Sequence, residues 1–401
     1  MRQQYEPSAD RIIALYQQLE DDILSAVIRR ILKMGYVSEA SKHQLEVLQA
    51  AGLLYDDIVQ LIADRTDACT AQVKALFEDA GVQTVAIDNS LHEAAGALPI
   101  DIRQDSSTRQ VLEAGYKKTL GTMRNLVSTT ATQTQTAFIQ TCDRIYMQVS
   151  SGAFSYQEAI MNALRALADT GAEVVYPTKH KDRMDVAVRR CVLTGVSQTA
   201  AAVSLRQAED AGCYLMEITA HSGARPDHAE WQGQLVTITG KDAGKIIDGL
   251  RVFTLSEIGY GSGEGFKGWN CRHNWHAYYP GFSTPNYTPE ELKKLDEPCI
   301  SYNGKLYTEY EVSQMQRAQE RRVRAWKRRC ITAQEGVNSA TDEATRATAQ
   351  AEFDRSARYL KNNEAKLKDF CRQTGQDRDR FREQVLGFNR STAQKAVHAA
   401  Q

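Results

Sequence analysis

The sequence lacks a net charge that could steer it as a whole toward nucleic acid or an acidic membrane. Its 401 residues include 49 Lys and Arg against 50 Asp and Glu, so any basic contact surface must be local. It also lacks a run of about 18 apolar residues, which argues against a membrane-spanning helix. The polar start, from Met1 to Glu6, lacks the apolar core of a secretory signal. These absences predict a soluble protein that contacts no membrane.

Paired or regularly spaced cysteines are absent as well. The eight cysteines are scattered singly, without a Cys-x-x-Cys motif. Neither a disulfide framework nor a four-thiolate zinc site is therefore indicated. We expect most of these thiols to be small buried apolar groups.

Most of the chain has the periodicity of amphipathic helices. Apolar residues recur at three- and four-residue steps from about 11 to 34, and further helices are predicted at 38–50, 55–80 and 107–150, the last as one helix or a pair. Ser155-Tyr-Gln-Glu158 fits a capping box that begins a helix, and Gly171 is expected to end it. Helices are also predicted at 183–211, 308–329 and 341–372.

Strand character is confined to the middle of the chain. Short strands are predicted at 174–176, 214–220 and 235–239, and Gly, Trp, Pro and Tyr stay frequent until about Gly304. The sequence therefore predicts a mainly α protein. Its expected parts are an elongated helical region at 1–211, a compact α/β domain with irregular β structure at 212–307, and a C-terminal helical region at 308–401.

The most distinctive stretch runs from His221 to Phe282. It holds four of the eight histidines and three of the four tryptophans, namely His221, His228, His273, His276, Trp231, Trp269 and Trp275. We interpret it mainly as structure, in which tryptophans anchor a core and glycines allow a tight loop that buried hydrogen bonds tie to the strands. Arg225 and Arg272 would then bond to backbone carbonyls or carboxylates.

A zinc site is the first alternative for this stretch. The candidate ligands are His228, Cys271, His273 and His276, with His221 as a substitute for His228. Thiolate and imidazole are the donors that zinc takes in tetrahedral sites. Because the spacing is not that of a common zinc finger, the favoured interpretation assigns no metal and no cofactor.

The second alternative is a nuclease or toxin-like hydrolase. Its candidate catalytic residues are His228, Arg272, His273 and His276. Asp227 and Glu230 would help to form an acid/base pair beside a cation, as hydrolysis of a phosphodiester requires. Nothing in the sequence sets the distances between these groups, so the favoured interpretation is a protein without catalytic activity.

Positive charge is concentrated on the helix predicted at 308–329. Its seven basic residues, against two glutamates, are Arg317, Arg321, Arg322, Arg324, Lys327, Arg328 and Arg329. One interpretation is a solvated face with many ion pairs. The other is a phosphate-directed contact with nucleic acid that does not depend on base sequence.

The central stretch resembles the tailed-phage minor capsid protein 2 family, which is related to head-morphogenesis proteins of the phage Mu F type. The similarity is carried by Gly223-Ala-Arg-Pro-Asp-His-Ala-Glu-Trp-Gln-Gly233, Gly259-Tyr-Gly-Ser-Gly263, Asn270-Cys-Arg-His273 and Tyr287-Thr-Pro-Glu-Glu-Leu292. The positions that match the family are Arg225, Asp227, His228, Trp231, Gly233, Asn270, Cys271, Arg272 and His273. Trp269 and the Tyr278-Tyr279 pair depart from the family's commonest pattern.

The resemblance implies a structural protein of the virion, present in few copies inside the head near the portal ring. The implied role is head morphogenesis, with DNA packaging or ejection as further roles. The implied partners are the portal protein, the capsid interior and, without sequence specificity, packaged DNA. The resemblance also implies an oligomeric or ring-bound state, synthesis in the host cytoplasm, and no established catalytic role for the matching residues.

Overall fold

A computed structural model describes residues 6–36, 39–102, 104–176 and 178–401. Within these ranges the protein is mainly α-helical, as the sequence predicts. The helices are α1 (Glu6–Met34), α2 (Ala40–Ala94), α3 (Ser106–Ser150), α4 (Tyr156–Thr170), α5 (Met184–Asp210), α6 (Pro289–Leu295), α7 (Glu309–Ser339), α8 (Glu343–Thr374) and α9 (Arg390–Ala399). None of the helices in these ranges is both long and apolar enough to cross a lipid bilayer.

The strands are short, and most of them gather in one mixed sheet. They are β1 (Glu173–Val175), β2 (Lys181–Arg183), β3 (Leu215–Ile218), β4 (Leu235–Thr237), β5 (Ile246–Ile247), β6 (Leu250–Thr254), β7 (Trp275–Tyr278), β8 (Ile300–Tyr302) and β9 (Lys305–Tyr307). The sheet has the order β5-β6-β4-β3-β7, in which β4 and β6 are parallel and the other neighbours antiparallel. β1 pairs with β2, and β8 with β9. The three predicted strands are confirmed as β1, β3 and β4.

Local signals in the sequence place α4 correctly. Ser155 Oγ accepts the backbone N–H of Glu158 at 3.2 Å, and the backbone N–H of Ser155 donates to the Glu158 carboxylate at 2.9 Å. Gly171 ends the helix with a φ of 67°. The predicted capping box is therefore confirmed, because every group in it lies within three residues of its partner.

Four predicted helix boundaries, at residues 50, 55, 80 and 329, are wrong. The sequence predicts separate helices at 38–50 and 55–80, whereas α2 continues without a break; the predicted start at residue 38 lies outside the described residues. Ala51 and Leu54 are buried, so the apolar stripe continues past Gly52. A single glycine costs a helix only about 1 kcal/mol, too little to end it. Likewise α7 continues to Ser339 because Cys330 and the residues after it extend its buried face.

The protein divides into two compact units, and each is built from three segments of the chain. Unit 1 comprises Thr70–Met123, Arg189–Gln314 and the described part of Met1–Ile12. Unit 2 comprises Ile13–Cys69, Arg124–Val188 and Met315–Gln401. The sequential division with boundaries at 211/212 and 307/308 stays a prediction.

In unit 1 the five-stranded sheet is buried on both faces. One face packs with Ala201 and Ala208 of α5 and carries Met216, Ile218, Val236, Phe253, Trp275 and Ala277. The opposite face carries Leu215, Leu235, Leu250, Val252 and Tyr278. Successive residues of a strand point to opposite faces, so β3, which is buried at all four positions, contributes to both cores.

α3 and α5 approach each other closely in unit 1 through paired glycines and threonines. Gly115 of α3 faces Thr199 of α5, and Gly195 of α5 faces Thr119 of α3. A Cβ added to Gly115 would lie 2.0 Å from Thr199 Oγ1, and one added to Gly195 would lie 2.1 Å from Thr119 Oγ1. Neither position has room for a side chain unless the neighbouring residue moves.

Gly115→Ala is expected to destabilise unit 1 by about 1–3 kcal/mol, because the new methyl group overpacks the contact between α3 and α5. Gly121 lies one and a half turns further along α3 with open space around it and is the matched control. Gly121→Ala is expected to stabilise the protein by about 0.5–1 kcal/mol through helix propensity. Urea unfolding followed by tryptophan fluorescence measures both effects, since Trp231, Trp269 and Trp275 lie in unit 1 and the fourth tryptophan, Trp326, lies in unit 2. Equal effects of the two substitutions would contradict the close packing.

Candidate functional site

A short turn brings His228 into the interior of unit 1. Pro226–His228 forms one 3-10 turn, which Pro226 begins with its restricted φ. His228 Nε2 lies 2.8 Å from the carbonyl oxygen of Glu264. Arg225, immediately before the turn, donates from Nη2 to the same oxygen at 2.6 Å. This shared acceptor joins the turn to the glycine-rich loop and places the His228 ring proton on Nε2.

Cys271 and His273 lie on the segment that leads into β7. Cys271 Sγ is 3.6 Å from His273 Nδ1, and His273 Nε2 is 3.2 Å from Gln232 Oε1. The backbone N–H of His221 points to the same Gln232 atom at 3.3 Å, which identifies that atom as the amide oxygen. Because an amide oxygen only accepts, the His273 ring proton sits on Nε2 and a lone pair remains on Nδ1.

These three side chains form a buried cluster, the His/Cys centre, which we define as His228, Cys271 and His273. One potential ligand atom from each residue lies within 4.8 Å of the other two. The two imidazole rings have centroids 5.2 Å apart, and Trp231 packs against them at 4.4 and 4.8 Å. The three residues are 2, 3 and 1 % exposed. Their side chains therefore face protein rather than solvent.

Burial keeps the imidazoles of this region neutral. Desolvation, together with the neighbouring His221 and His228, lowers the pKa of His273 to about 2. Desolvation also lowers the pKa of His221 and that of His228 below the ordinary histidine value. Burial raises the pKa of Cys271, although the ammonium group of Lys267 opposes this. At neutral pH the centre therefore offers uncharged imidazole nitrogens, which can bind a metal, next to a protonated thiol.

The glycine-rich loop that carries Glu264 is held by close backbone contacts. A Cβ added to Gly265 would lie 2.2 Å from the carbonyl oxygen of Gly259. One added to Gly268 would lie 2.0 Å from the carbonyl oxygen of Ser262. The loop therefore requires glycine at both positions, and it fixes the carbonyl group that accepts from the His/Cys centre.

His276 is not brought into the His/Cys centre. It lies in β7 between Trp275 and Ala277, whose side chains both belong to the core that packs with α5. Because successive residues of a strand point to opposite faces of the sheet, the side chain of His276 points to the other face. There His276 Nε2 lies 3.3 Å from the carboxylate of Glu217. Asn286 Nδ2 donates to the same carboxylate at 2.8 Å. This trio is a separate polar group in which Glu217 is buried, His276 is half-buried and Asn286 is exposed.

The remaining positions that match the family surround the centre. Asp227 is exposed, and its carboxylate lies 3.9 Å from Arg225 Nε. Gly233 has a φ of 68°, and a Cβ there would lie 2.6 Å from Leu292 Cδ2. Asn270 has a left-handed φ of 57°, which turns the chain just before the cysteine. Arg272 is half-buried and interacts within the chain.

The basic residues predicted to contact nucleic acid are mostly engaged within unit 2. Arg324 and Lys327 each donate to a backbone carbonyl oxygen in 382–383 at 3.0 Å. Arg329 forms two hydrogen bonds with the carboxylate of Asp169, at 3.0 and 2.7 Å. These contacts match the ion-paired interpretation of the helix more closely than a free phosphate-binding surface.

The other four basic residues of the set on α7 differ in exposure. Arg328 is 8 % exposed, 3.6 Å from Asp185 and 4.0 Å from Glu20, and Arg317 interacts within the chain. The exposed basic side chains of the predicted set are Arg321 and Arg322. A phosphate contact by this helix depends on those two residues and stays a prediction.

Two more ionisable groups are buried in unit 1. Lys267 Nζ donates to Ser197 Oγ at 3.2 Å and to Asn274 Oδ1 at 3.0 Å, and burial lowers its pKa to about 8. Asp88 accepts a hydrogen bond from Ser204 Oγ at 2.6 Å, and burial raises its pKa to about 6. For both groups the charged form is less favourable in the folded protein than in water, so the stability of unit 1 depends on pH.

Asp88→Asn is expected to stabilise unit 1 at neutral pH and to reduce its pH dependence. Because the pKa of Asp88 is raised, the folded state binds more protons than the unfolded state at pH values between the ordinary pKa of aspartate and about 6. The free energy of unfolding therefore falls as the pH rises through this range. One pKa unit corresponds to about 1.4 kcal/mol, so the charged carboxylate costs roughly 2–3 kcal/mol. Urea unfolding of both proteins measures this gain, which should be present at about pH 7 and absent at about pH 3. A gain that does not change with pH would contradict the titration of Asp88.

Sequence reasoning missed the residues that support the site. Gln232 lies inside the motif, but only the folded turn shows that it accepts from His273. Glu217 is recognisable as the partner of His276 only after β3 is paired with β7, because the two residues are directly opposite in that register. A period-two pattern over the short β7 strand was the one signal that could have separated His276 from the centre.

Comparisons with known proteins find phage capsid and structural proteins. The chain matches the family model described as phage minor capsid protein 2 over residues 2–372. A structural protein of Lactococcus phage LL-H is 23 % identical over 333 residues, which are 80 % of this chain and 86 % of that protein. A structural protein of Lactococcus phage mv4 is 37 % identical over 81 residues, which are 20 % of this chain and 57 % of that protein. No solved structure matches the chain.

Proposed function

The chain belongs to the phage minor capsid protein 2 family, and we propose that it is a non-enzymatic head protein that docks onto the portal. It is a structural protein of the phage particle. What we propose is that the protein acts in head morphogenesis by binding the portal through a defined helical surface. The inner face of the capsid is the other candidate partner.

The observation that carries the proposal is an exposed apolar stripe on the unit 2 part of α2. We define the α2 stripe as Leu45, Leu48, Tyr55, Val59 and Ile62. Leu45, Leu48 and Val59 are 58, 60 and 43 % exposed, and the other two are half-buried. The buried face of the same helix is formed by Val47, Ala51, Leu54 and Ile58. A contiguous apolar surface beyond the one that packs the core marks an interaction site.

The spacing of the α2 stripe suits a helix as the partner. Together with Gly52, its members follow alternating steps of three and four residues, which is the a and d spacing of a coiled-coil seam. Another helix with a matching apolar stripe would bury these side chains, and the small Gly52 would allow a close approach. We take that helix to belong to the portal protein.

The buried His/Cys centre supports a structural rather than a catalytic role. Its three residues are at most 3 % exposed, and Trp231 covers both imidazoles. A general base must come within hydrogen-bonding distance of a substrate proton, directly or through one water. A substrate could reach these groups only if the surrounding loop opened.

The docking proposal is tested with purified portal oligomers in a co-sedimentation titration. Leu48→Glu should weaken binding at least tenfold, or about 1.4 kcal/mol, because a carboxylate in an apolar seam loses its hydration. The matched control is Gln49→Glu, which adds the same charge to the next residue, about 100° around the helix. The control should bind as tightly as the wild type.

The outcomes separate the partners. Binding to empty capsids and not to portal oligomers would overturn the portal assignment while keeping the stripe as the docking surface. Self-association that Leu48→Glu abolishes, with no binding to either particle, would overturn docking altogether. Equal weakening by both glutamate variants would show that added charge, and not the α2 stripe, is responsible.

The absence of catalysis is tested by incubating the protein with DNA and with RNA, each with and without divalent metal. We expect no turnover in any of the four reactions. Hydrolysis that disappears in His228→Ala, in a protein that remains folded by circular dichroism, would overturn the non-enzymatic assignment.

A further inference from the structure

We propose that the His/Cys centre is a structural zinc site, with His228, Cys271 and His273 as ligands and His221 as the fourth. The proposal is independent of docking through α2, because the site lies in unit 1 and the stripe in unit 2. It differs from the zinc alternative considered from the sequence in one ligand, since His276 is replaced by His221.

The first argument is the distance between donor atoms. With zinc–sulfur and zinc–nitrogen bonds of about 2.3 and 2.0–2.1 Å, a tetrahedral site separates sulfur from nitrogen by about 3.6 Å. Cys271 Sγ and His273 Nδ1 are 3.6 Å apart. The remaining separations within the centre are no more than 4.8 Å, at most about 1.2 Å more than a tetrahedral site requires, so the His228 ring has to move to bind the same metal.

The second argument is the hydrogen bond made by each imidazole. A histidine that binds a metal through one nitrogen usually donates its other N–H to a carbonyl or carboxylate. His228 Nε2 lies 2.8 Å from Glu264 O, and His273 Nε2 lies 3.2 Å from Gln232 Oε1. Both histidines therefore have a proton held on Nε2 and a lone pair on Nδ1, the arrangement that a metal ligand needs.

The third argument concerns His221, the residue proposed as the fourth ligand. Its Nδ1 lies 2.9 Å from the carbonyl oxygen of Ser222, which leaves the lone pair on Nε2. That Nε2 is buried and has no hydrogen-bond partner. The ring centroid of His221 is 4.4 Å from that of His273, but its donor nitrogen is not among the ligand atoms that lie within 4.8 Å of one another, so the ring has to turn toward the centre to bind the metal. A buried imidazole nitrogen without a partner carries a desolvation cost, which a metal bond would remove.

The class of metal follows from the donors. Three imidazoles and one thiolate suit zinc, whereas magnesium and calcium prefer oxygen. Binding would release the thiol proton of Cys271 to solvent and form a sulfur–zinc bond, with no change of oxidation state. Four protein ligands leave no open position, which makes the site structural rather than catalytic.

The test begins with the full chain purified without chelators from cells grown with added zinc. Mass spectrometry of the metal content should find zinc in stoichiometric amount. Cobalt added to the metal-free protein should give a thiolate-to-cobalt charge-transfer band and the visible absorption of a tetrahedral site. Wild-type protein that holds no stoichiometric zinc and gives no such band would overturn the proposal without any variant.

Variants assign the ligands. Cys271→Ser should abolish the charge-transfer band, whereas Cys213→Ser, another buried thiol in the same core, should keep it. His228→Gln and His221→Gln should each lower zinc affinity at least a hundredfold in competition with a chromophoric chelator, and His276→Gln should leave it unchanged. Gln232→Leu should lower affinity by about 10–100-fold through loss of the outer hydrogen bond. Zinc retained at wild-type affinity by both Cys271→Ser and His228→Gln would overturn the site.

Discussion

Trp231→Ala is expected to lower the free energy of unfolding of unit 1 by about 3–5 kcal/mol, the usual cost of removing a large buried aromatic side chain. Trp231 is 5 % exposed and belongs to the core that packs with α5. Its ring centroid is 4.4 Å from His228, 4.8 Å from His273 and 5.8 Å from Phe266. Its removal would leave a cavity and would also expose both imidazoles of the His/Cys centre.

The matched control for this substitution is Trp269→Ala. Trp269 belongs to the same stretch of sequence but is 53 % exposed, with the guanidinium of Arg190 5.8 Å from its ring. Its loss should cost less than about 1 kcal/mol. Urea unfolding followed by circular dichroism measures both variants. Costs of similar size would contradict the placement of Trp231 in the core of unit 1.

Arg183→Met is expected to destabilise unit 2 by about 3–5 kcal/mol, because it removes the hydrogen-bonded partner of a buried carboxylate and leaves Glu20 with only the more distant Arg328. Arg183 Nη1 donates to Glu20 Oε1 at 2.6 Å, and Nη2 donates to the carbonyl oxygen of Ala168 at 2.9 Å. Glu20 is 2 % exposed, and burial raises the pKa of its carboxyl group despite the nearby Arg328 and Arg183. The substitution therefore removes a charge partner and a bond to the end of α4.

Lys181→Met is the control on the same strand. Lys181 pairs with Glu173 at 2.8 Å, but its side chain is 60 % exposed, so the pair contributes only about 0–1 kcal/mol. A double-mutant cycle of Arg183→Met with Glu20→Gln should show an interaction energy of about 1–3 kcal/mol. Additive effects of the two substitutions would show that the buried pair is not coupled.

The fold was predictable where the signal is local or periodic. The capping box at Ser155 and the apolar steps of α1 involve residues close in sequence, and both predictions are confirmed. The break near Gly52 was predicted wrongly because a glycine weakens a helix everywhere, whereas burial of Leu54 by tertiary packing keeps this helix intact. Strands such as β5, of two residues, are too short to show a period.

The candidate site was predictable as a set of residues but not as an arrangement. The sequence indicates that His228, Cys271 and His273 belong together, and the fold brings them within 4.8 Å. His276 points to the other face of the sheet, and this depends on which residues of the short strand β7 face the core. Local charge counting cannot show that Arg328 lies beside Glu20, because the two residues are more than 300 positions apart in the chain. Contacts between residues far apart in the sequence therefore decide which basic side chains are buried and which are exposed.

The most direct test of the docking account is the amount of this protein in assembled phage particles. Particles would be produced from a phage that lacks the protein and is supplied with wild type, Leu48→Glu or Gln49→Glu, and its ratio to the portal protein would be measured by quantitative mass spectrometry. We predict that wild type and Gln49→Glu enter the particle in equal amounts, and that Leu48→Glu remains folded and soluble but is depleted at least tenfold. Equal incorporation of all three proteins would contradict docking through the α2 stripe.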